Sequence, residues 1–159
     1  MKLEEKVVQM LLKKNLVMAC AESCTGGLIA KRITDISGSS AIFNCGIVSY
    51  SNEIKEKVLN VKNETLMEFG AVSEQTVREM VTGVLAISGA DVAVSVSGIA
   101  GPNSDNTNKP VGLIYLAVSN GKNTVVKRLN NQFTTDIRNS NRISASDEAL
   151  KMIIEMIGE

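Results

Sequence analysis

The sequence predicts a three-layer α/β/α sandwich built on a mixed, largely parallel sheet. Three observations carry this reading. Short apolar runs alternate with helix-period segments through the first two-thirds of the chain. Two further strand-like runs flank Asn120-Gly121, a dipeptide suited to a tight hairpin, and these add antiparallel pairing. The length, 159 residues, suits one domain with a single sizeable core. One domain over residues 1–159 is therefore expected, without linker, repeat or low-complexity segment.

The elements follow in order. Leu3, Val7, Met10 and Leu11 recur at helical spacing within residues 2–14. "LVMACA" (16–21) is a short apolar run that reads as a buried strand. "TGGLIAKRITDI" (25–36) reads as a helix entered through two glycines. "AIFNCGIVSY" (41–50) is a second strand, and Ser51 caps a helix through "NEIKEKVL" with Glu53 in its first turn. A short helix near 63–68 ends at Gly70. Ser73 opens a longer helix whose stripe is Val77, Met80, Val81, Val84 and Leu85. "DVAVSVSG" (91–98) is the third strand, and residues 99–110 form a long polar loop. Residues 111–120 and 123–133 make the hairpin. A last helix runs from about Thr135 to Ile157, with Leu150, Ile153, Ile154 and Ile157 facing inward.

Composition excludes several functions. Seventeen basic residues balance seventeen acidic ones, so no field steers the chain to DNA or to an anionic membrane. Aromatic content is 3% with no Trp, which leaves little for base stacking. No apolar run approaches the roughly 20 residues of a spanning helix. "MKLEEKVVQM" carries acids where a secretion signal needs an apolar stretch. A soluble, cytoplasmic protein with no nucleic-acid or membrane partner is expected. The cysteines, Cys20, Cys24 and Cys45, are three, and the chain has no histidine. Neither a disulfide framework nor a zinc site fits, and the thiols read as small buried apolar groups.

Three stretches could carry chemistry. In "AESCTGG" (21–27) two glycines allow a sharp turn, and the following helix offers free N–H groups that suit a phosphate or carboxylate. A plain strand-to-helix turn is the simpler reading. Neither a Walker loop nor a dinucleotide fingerprint is present. "SGIAGPNSDNTNKPVG" (97–112) follows the third strand, where open α/β sheets place their ligands. In "SGSSAIFNCGIVSYSNEIK" (37–55), Ser39 and Ser40 precede the second strand, Tyr50 ends it and Lys55 lies one helical turn beyond. Without histidine, only a lysine could take a serine's proton. Lowering a lysine from ~10.4 to ~7 requires about 4.6 kcal/mol of bias against its charged form, hence a desolvated site. Spacing alone does not distinguish such a pair from a solvated helix lysine.

At these residues the sequence resembles the C-terminal domain of the competence/damage-inducible protein CinA, whose stand-alone members are nicotinamide mononucleotide (NMN) deamidases. The resemblance rests on "AESCTGG" (21–27), "GSS" with "GIVSYSNEIK" (38–40, 46–55), "GAVSEQTVREM" (70–80) and "SGIAGP" with "KPVGLIY" (97–102, 109–115). It covers nearly the whole chain. It implies hydrolysis of the NMN carboxamide to nicotinic acid mononucleotide and ammonia by a Ser–Lys pair, with no cofactor and no metal. By match to the motifs, Ser40 is the expected nucleophile, Lys55 the base, and Tyr50 a hydroxyl that relays the proton or orients the pair. Ser23, Thr25, Gly26, Gly27, Ser97, Gly98 and Gly101 are the expected substrate contacts. The oxyanion donors are expected near Gly38–Ser40 or in the 98–101 loop. An arginine near the last helix is expected to meet the phosphate. Many members have Gly-Asp-Arg there; this chain has "TTDIRNSNR" (134–142), with Ile137 where the arginine is common. Arg138 and Arg142 remain, with Arg142 preferred. A homodimer is expected. Larger members carry an N-terminal molybdopterin-binding-like domain with a pyrophosphatase activity, which is not expected of this sequence. Two other readings stand beside the enzyme: a non-catalytic partner in competence or DNA-damage responses, and a nucleotide-binding domain without activity.

Overall fold

The computed structural model describes residues 1–158. Its strands are β1 (Met18–Glu22), β2 (Phe43–Val48), β3 (Val92–Gly98), β4 (Leu113–Ser119) and β5 (Thr124–Asn130). Its helices are α1 (Leu3–Lys14), α2 (Leu28–Thr34), α3 (Asn52–Leu59), α4 (Asn63–Phe69), α5 (Glu74–Ser88) and α6 (Ile137–Gly158). The sheet order is β2-β1-β3-β4-β5. β1 lies between β2 and β3 and runs parallel to both, while β4 is antiparallel to β3 and to β5. Four strands thus point one way, and only β4 is reversed. The expected mixed sheet is present, with helices on both faces.

The central strands explain the layers. β1 and β3 are buried on both sides, with mostly small or apolar residues, and their polar members Glu22, Ser95 and Ser97 are buried with them. Val94 and Val96 of β3 face α1, α2 and α6 with Cys20, Ile29, Leu150 and Ile153. Ala93 of β3 faces the other way, toward Val77, Met80, Val81 and Val84 of α5 and Leu59 of α3. The small residues on that face let α5 lie close. Gly83 shows how close: a Cβ there would stand 2.0 Å from the Leu59 carbonyl oxygen.

Two helix starts follow the local rules. Ser51 accepts from the Ile54 amide at 3.2 Å, and Ser73 from the Thr76 amide at 3.2 Å. One expectation fails at the start of the second strand. Residues 39–41 form a single 3-10 turn rather than extended chain, and β2 begins only at Phe43. This turn packs at the N-terminal end of β2, and Lys55 follows its C-terminal end.

Candidate active site

Parallel strands put their C-terminal ends on one edge of the sheet. β1 and β2 pair with Glu22 opposite Val48. The residues just beyond those ends, Ser23 and Ser49–Tyr50, therefore meet. α3 then folds back with Lys55 and Leu59 on its inner face, one turn apart. Leu59 enters the core, and Lys55 occupies the equivalent position above it, 1% exposed.

The Lys55 amine has three oxygens around it. Nζ lies 2.6 Å from the Ser49 carbonyl, 3.0 Å from Ser23 Oγ and 3.5 Å from the Tyr50 carbonyl. Among the described residues no carboxylate pairs with it. Burial consequently pulls the Lys55 pKa down from 10.5 to about 8, with only a small opposing contribution from Cys24. With two N–H bonds committed to the carbonyls, a neutral amine turns its lone pair toward Ser23. Cys24 is the other nucleophilic side chain at this spot. Burial pushes its thiol up to about 12, so it stays protonated.

The expected Ser40–Lys55 pair does not form. Ser40 is exposed in the 3-10 turn before β2, and Lys55 follows β2. The six residues of β2 separate them by roughly 20 Å at ~3.3 Å per residue. Gly38 lies at that far end too, away from Lys55. Ser23, expected as a substrate contact, is the serine that meets the lysine.

The Glu22 side chain gives a second correction. Its carboxylate is fully buried and accepts from Thr25 Oγ1 at 2.6 Å and from the Ile29 and Ala30 amides at 2.9 and 3.1 Å. It caps α2 from inside the turn. The helix N-terminus expected to greet a phosphate is thus already covered by a carboxylate. Sequence reasoning missed this residue, although an acid six to eight positions ahead of a helix's first turn was a usable signal. Gly26 and Gly27 adopt positive φ of 59° and 100°, which makes this tight turn possible.

A cavity of about 420 Å³ opens over the pair. Ser23, Cys24, Lys55 and Ser97 line its base, and Ala71, Val72 and Ile99 an apolar wall. Gly98, Gly101 and Pro102–Asp105 form another side, with Tyr50 and Arg138 at the mouth. Tyr50 is exposed, and its hydroxyl accepts from Arg138 Nη2 at 2.9 Å rather than touching Ser23 or Lys55. Arg138 also donates to the Gly101 carbonyl at 2.8 Å. Arg142, the preferred arginine, instead donates to the Thr25 carbonyl at 2.8 Å and braces the turn from behind. Of the two, Arg138 is the one on the cavity. Among the described residues no three Cys, Asp or Glu side chains gather as metal ligands, and no helix is long and apolar enough to cross a membrane.

Known proteins share this fold. The model of the CinA C-terminal domain matches residues 1–157. A nicotinamide-nucleotide amidohydrolase PncC of Enterobacter agglomerans is 54% identical over 129 residues, 81% of this chain and 77% of that protein. A CinA-like protein of Kosmotoga olearia is 45% identical over 156 residues, 98% of this chain but 38% of its own length. The chain spans only about a third, 31% to 38%, of the curated relatives it first matches. Among solved structures, the competence/damage inducible protein CihA of Agrobacterium tumefaciens superposes with a TM-score of 0.92 at 39% identity, covering 99% of this chain and 94% of that one. A CinA superfamily protein of Klebsiella pneumoniae gives 0.92 at 33%, covering 98% and 96%. With a family model spanning almost every residue and the same fold throughout, this chain belongs to the CinA C-terminal domain family.

Proposed function

We propose that this chain is a metal-independent nicotinamide-nucleotide amidohydrolase that converts NMN to nicotinic acid mononucleotide and ammonia, with Ser23 as nucleophile and Lys55 as base. The observation that carries the reading is the Ser23–Lys55 contact of 3.0 Å at the floor of a mononucleotide-sized cavity. The PncC relative supports the substrate class.

The chemistry follows acyl transfer. Neutral Lys55 takes the Ser23 hydroxyl proton as Oγ attacks the carboxamide carbon. The carbonyl electron pair moves onto oxygen. The amides of Cys24 and Thr25, which follow the nucleophile directly in the chain, are the proposed donors for that oxyanion. The C–N bond then breaks as Lys55 returns the proton to the leaving nitrogen, releasing ammonia and leaving an ester on Ser23. Water attacks the ester, gives a proton to Lys55, and the acid leaves as the serine is reprotonated. Ser97, Gly98 and Gly101 contact the ring end, and Arg138 takes the phosphate at the mouth. Tyr50 holds Arg138 through its hydroxyl and Lys55 through its carbonyl.

Ammonia release from NMN tests the reading directly. Ser23→Ala should abolish it, while Ser40→Ala should leave it within about twofold, as expected of a distant surface change. An active Ser23→Ala variant would remove Ser23 as nucleophile. A wild-type protein that releases no ammonia from NMN would instead favour the non-catalytic partner role.

A further inference from the structure

Two motifs of the sequence take no part in the chemistry above: "GAVSEQTVREM" (70–80) and "KPVGLIY" (109–115). They meet at one ammonium. Lys109 Nζ donates to the Phe69 carbonyl at 2.6 Å and to the Val72 carbonyl at 2.6 Å. Phe69 closes α4, so its carbonyl is one of the unpaired acceptors at a helix C-terminus, where a cation is favoured. Gly70 lies between the two acceptors with φ of 79°, and a Cβ there would come within 3.3 Å of Nζ. The turn bends around the ammonium, and glycine gives it room.

The two segments joined by this contact both line the cavity. Ala71 and Val72 belong to one, and Gly101–Asp105 to the other. The loop between β3 and β4 is closed at its base by the Gly112 amide on the Ile99 carbonyl and the Ile99 amide on Leu113. Beyond that base, three side chains tie it to the rest of the molecule among the described residues. Arg138 and Asn141 of α6 hold the Gly101 and Ala100 carbonyls. Lys109 supplies the side-chain hydrogen bonds to the α4–α5 turn, beside the apolar packing of Val72 on Ile99, Val111 and Leu113 at the base of the loop. Ser73 and Thr76 Oγ take up the Gly70 carbonyl from within that turn, at 3.0 and 2.7 Å, so the turn is itself ordered.

We propose that Lys109 is a positioning residue that clamps the 69–73 turn to the 99–112 loop and so sets the width of the cavity over Ser23 and Lys55. It touches no reacting atom. Its effect falls on how tightly the substrate is held, and in this it rests on the amidohydrolase reading. A loop released on one side must be reordered when substrate binds, and that ordering is subtracted from affinity.

The test uses the full chain and three proteins: wild type, Lys109→Met and Lys109→Arg. Methionine keeps the length and removes the donors. Hydrogen exchange by mass spectrometry is read over 69–73 and 100–106. In Lys109→Met both segments should exchange faster together, and arginine should restore most of the protection. KM for NMN should rise about tenfold in Lys109→Met with kcat within about threefold, again recovered by arginine. A merely structural lysine would lower thermal stability and leave KM unmoved. Unchanged exchange at 69–73, or an unchanged KM in an active enzyme, would overturn the clamp. The exchange measurement needs no turnover. A wild-type protein inert toward NMN would therefore defeat the functional reading, while the clamp would still be decided by exchange.

Discussion

The pH dependence of the reaction is the most demanding test of the Lys55 assignment. The amine must be neutral to act as base, and its pKa of about 8 fixes the neutral fraction. About one-tenth of the free enzyme is competent at pH 7, half at pH 8 and nine-tenths at pH 9. The kcat/KM for NMN should rise about tenfold between pH 7 and 9, with unit slope below pH 8 and a plateau above. The substrate phosphate titrates near ~6, outside this window. Initial ammonia release, measured well below KM in buffers of constant ionic strength, gives the profile. Lys55→Arg keeps the cation but cannot deprotonate, so its rate should fall by about 10²–10⁴ at every pH. The same pKa has a stability consequence. The folded value lies below the unfolded one, so between about pH 8 and 10.5 the unfolded chain holds a proton that the folded chain lacks. Unfolding free energy should therefore rise with pH across that window, by roughly 3 kcal/mol at most. Denaturant curves of wild type and Lys55→Met at pH 7 and 10 isolate the contribution as a difference. A flat kcat/KM profile from pH 6.5 to 9.5, or an arginine variant with substantial activity, would refute the lysine as base.

Two further outcomes test the packing and the mouth of the site. Gly83→Ala drives a Cβ to 2.0 Å from the Leu59 carbonyl, and main chain yields less readily than a side chain; the gain in helix propensity of about 1 kcal/mol should be outweighed, leaving a net loss of about 2 kcal/mol in urea unfolding. Arg138→Met should raise KM for NMN and leave the phosphate-free riboside unaffected, and an equal loss on both substrates would locate the phosphate elsewhere.

Much of the layer architecture was legible because it depends on periodicity. The α5 stripe, the Ser51 and Ser73 caps and the Asn120-Gly121 hairpin are local signals, and the structure contains each of them. The pairing of serine and lysine was not local. Ser40 and Lys55 stand on opposite sides of one strand in the sequence, and a strand holds the residues at its two ends apart. Ser23 and Lys55 both come after strands that run parallel, which brings them to one edge despite a sequence separation of 32. The order of elements was enough to see which serine lies beside Lys55; motif resemblance, which carries no geometry, was not. Lys55 itself had a signature. It stands four residues before Leu59, at a stripe position where an apolar residue is usual. Glu22 was harder to find, because a buried carboxylate satisfied by amides leaves no hydropathy signal.

The capped end of α2 divides the labour of the site between separate parts of the chain. Since Glu22 already accepts from those amides, the proposed reading has the anionic group of a ligand met from α6, a helix that contributes nothing to the Ser23–Lys55 contact. Bond-breaking and ligand choice then sit on different segments of the gene. On that reading, changes in "TTDIRNSNR" would alter which molecules are admitted while the reactive pair stays intact. Relatives with one chemistry and several substrates are the expected outcome of such a layout, and exchanging residues 134–142 between family members is the direct way to move a preference from one protein to another.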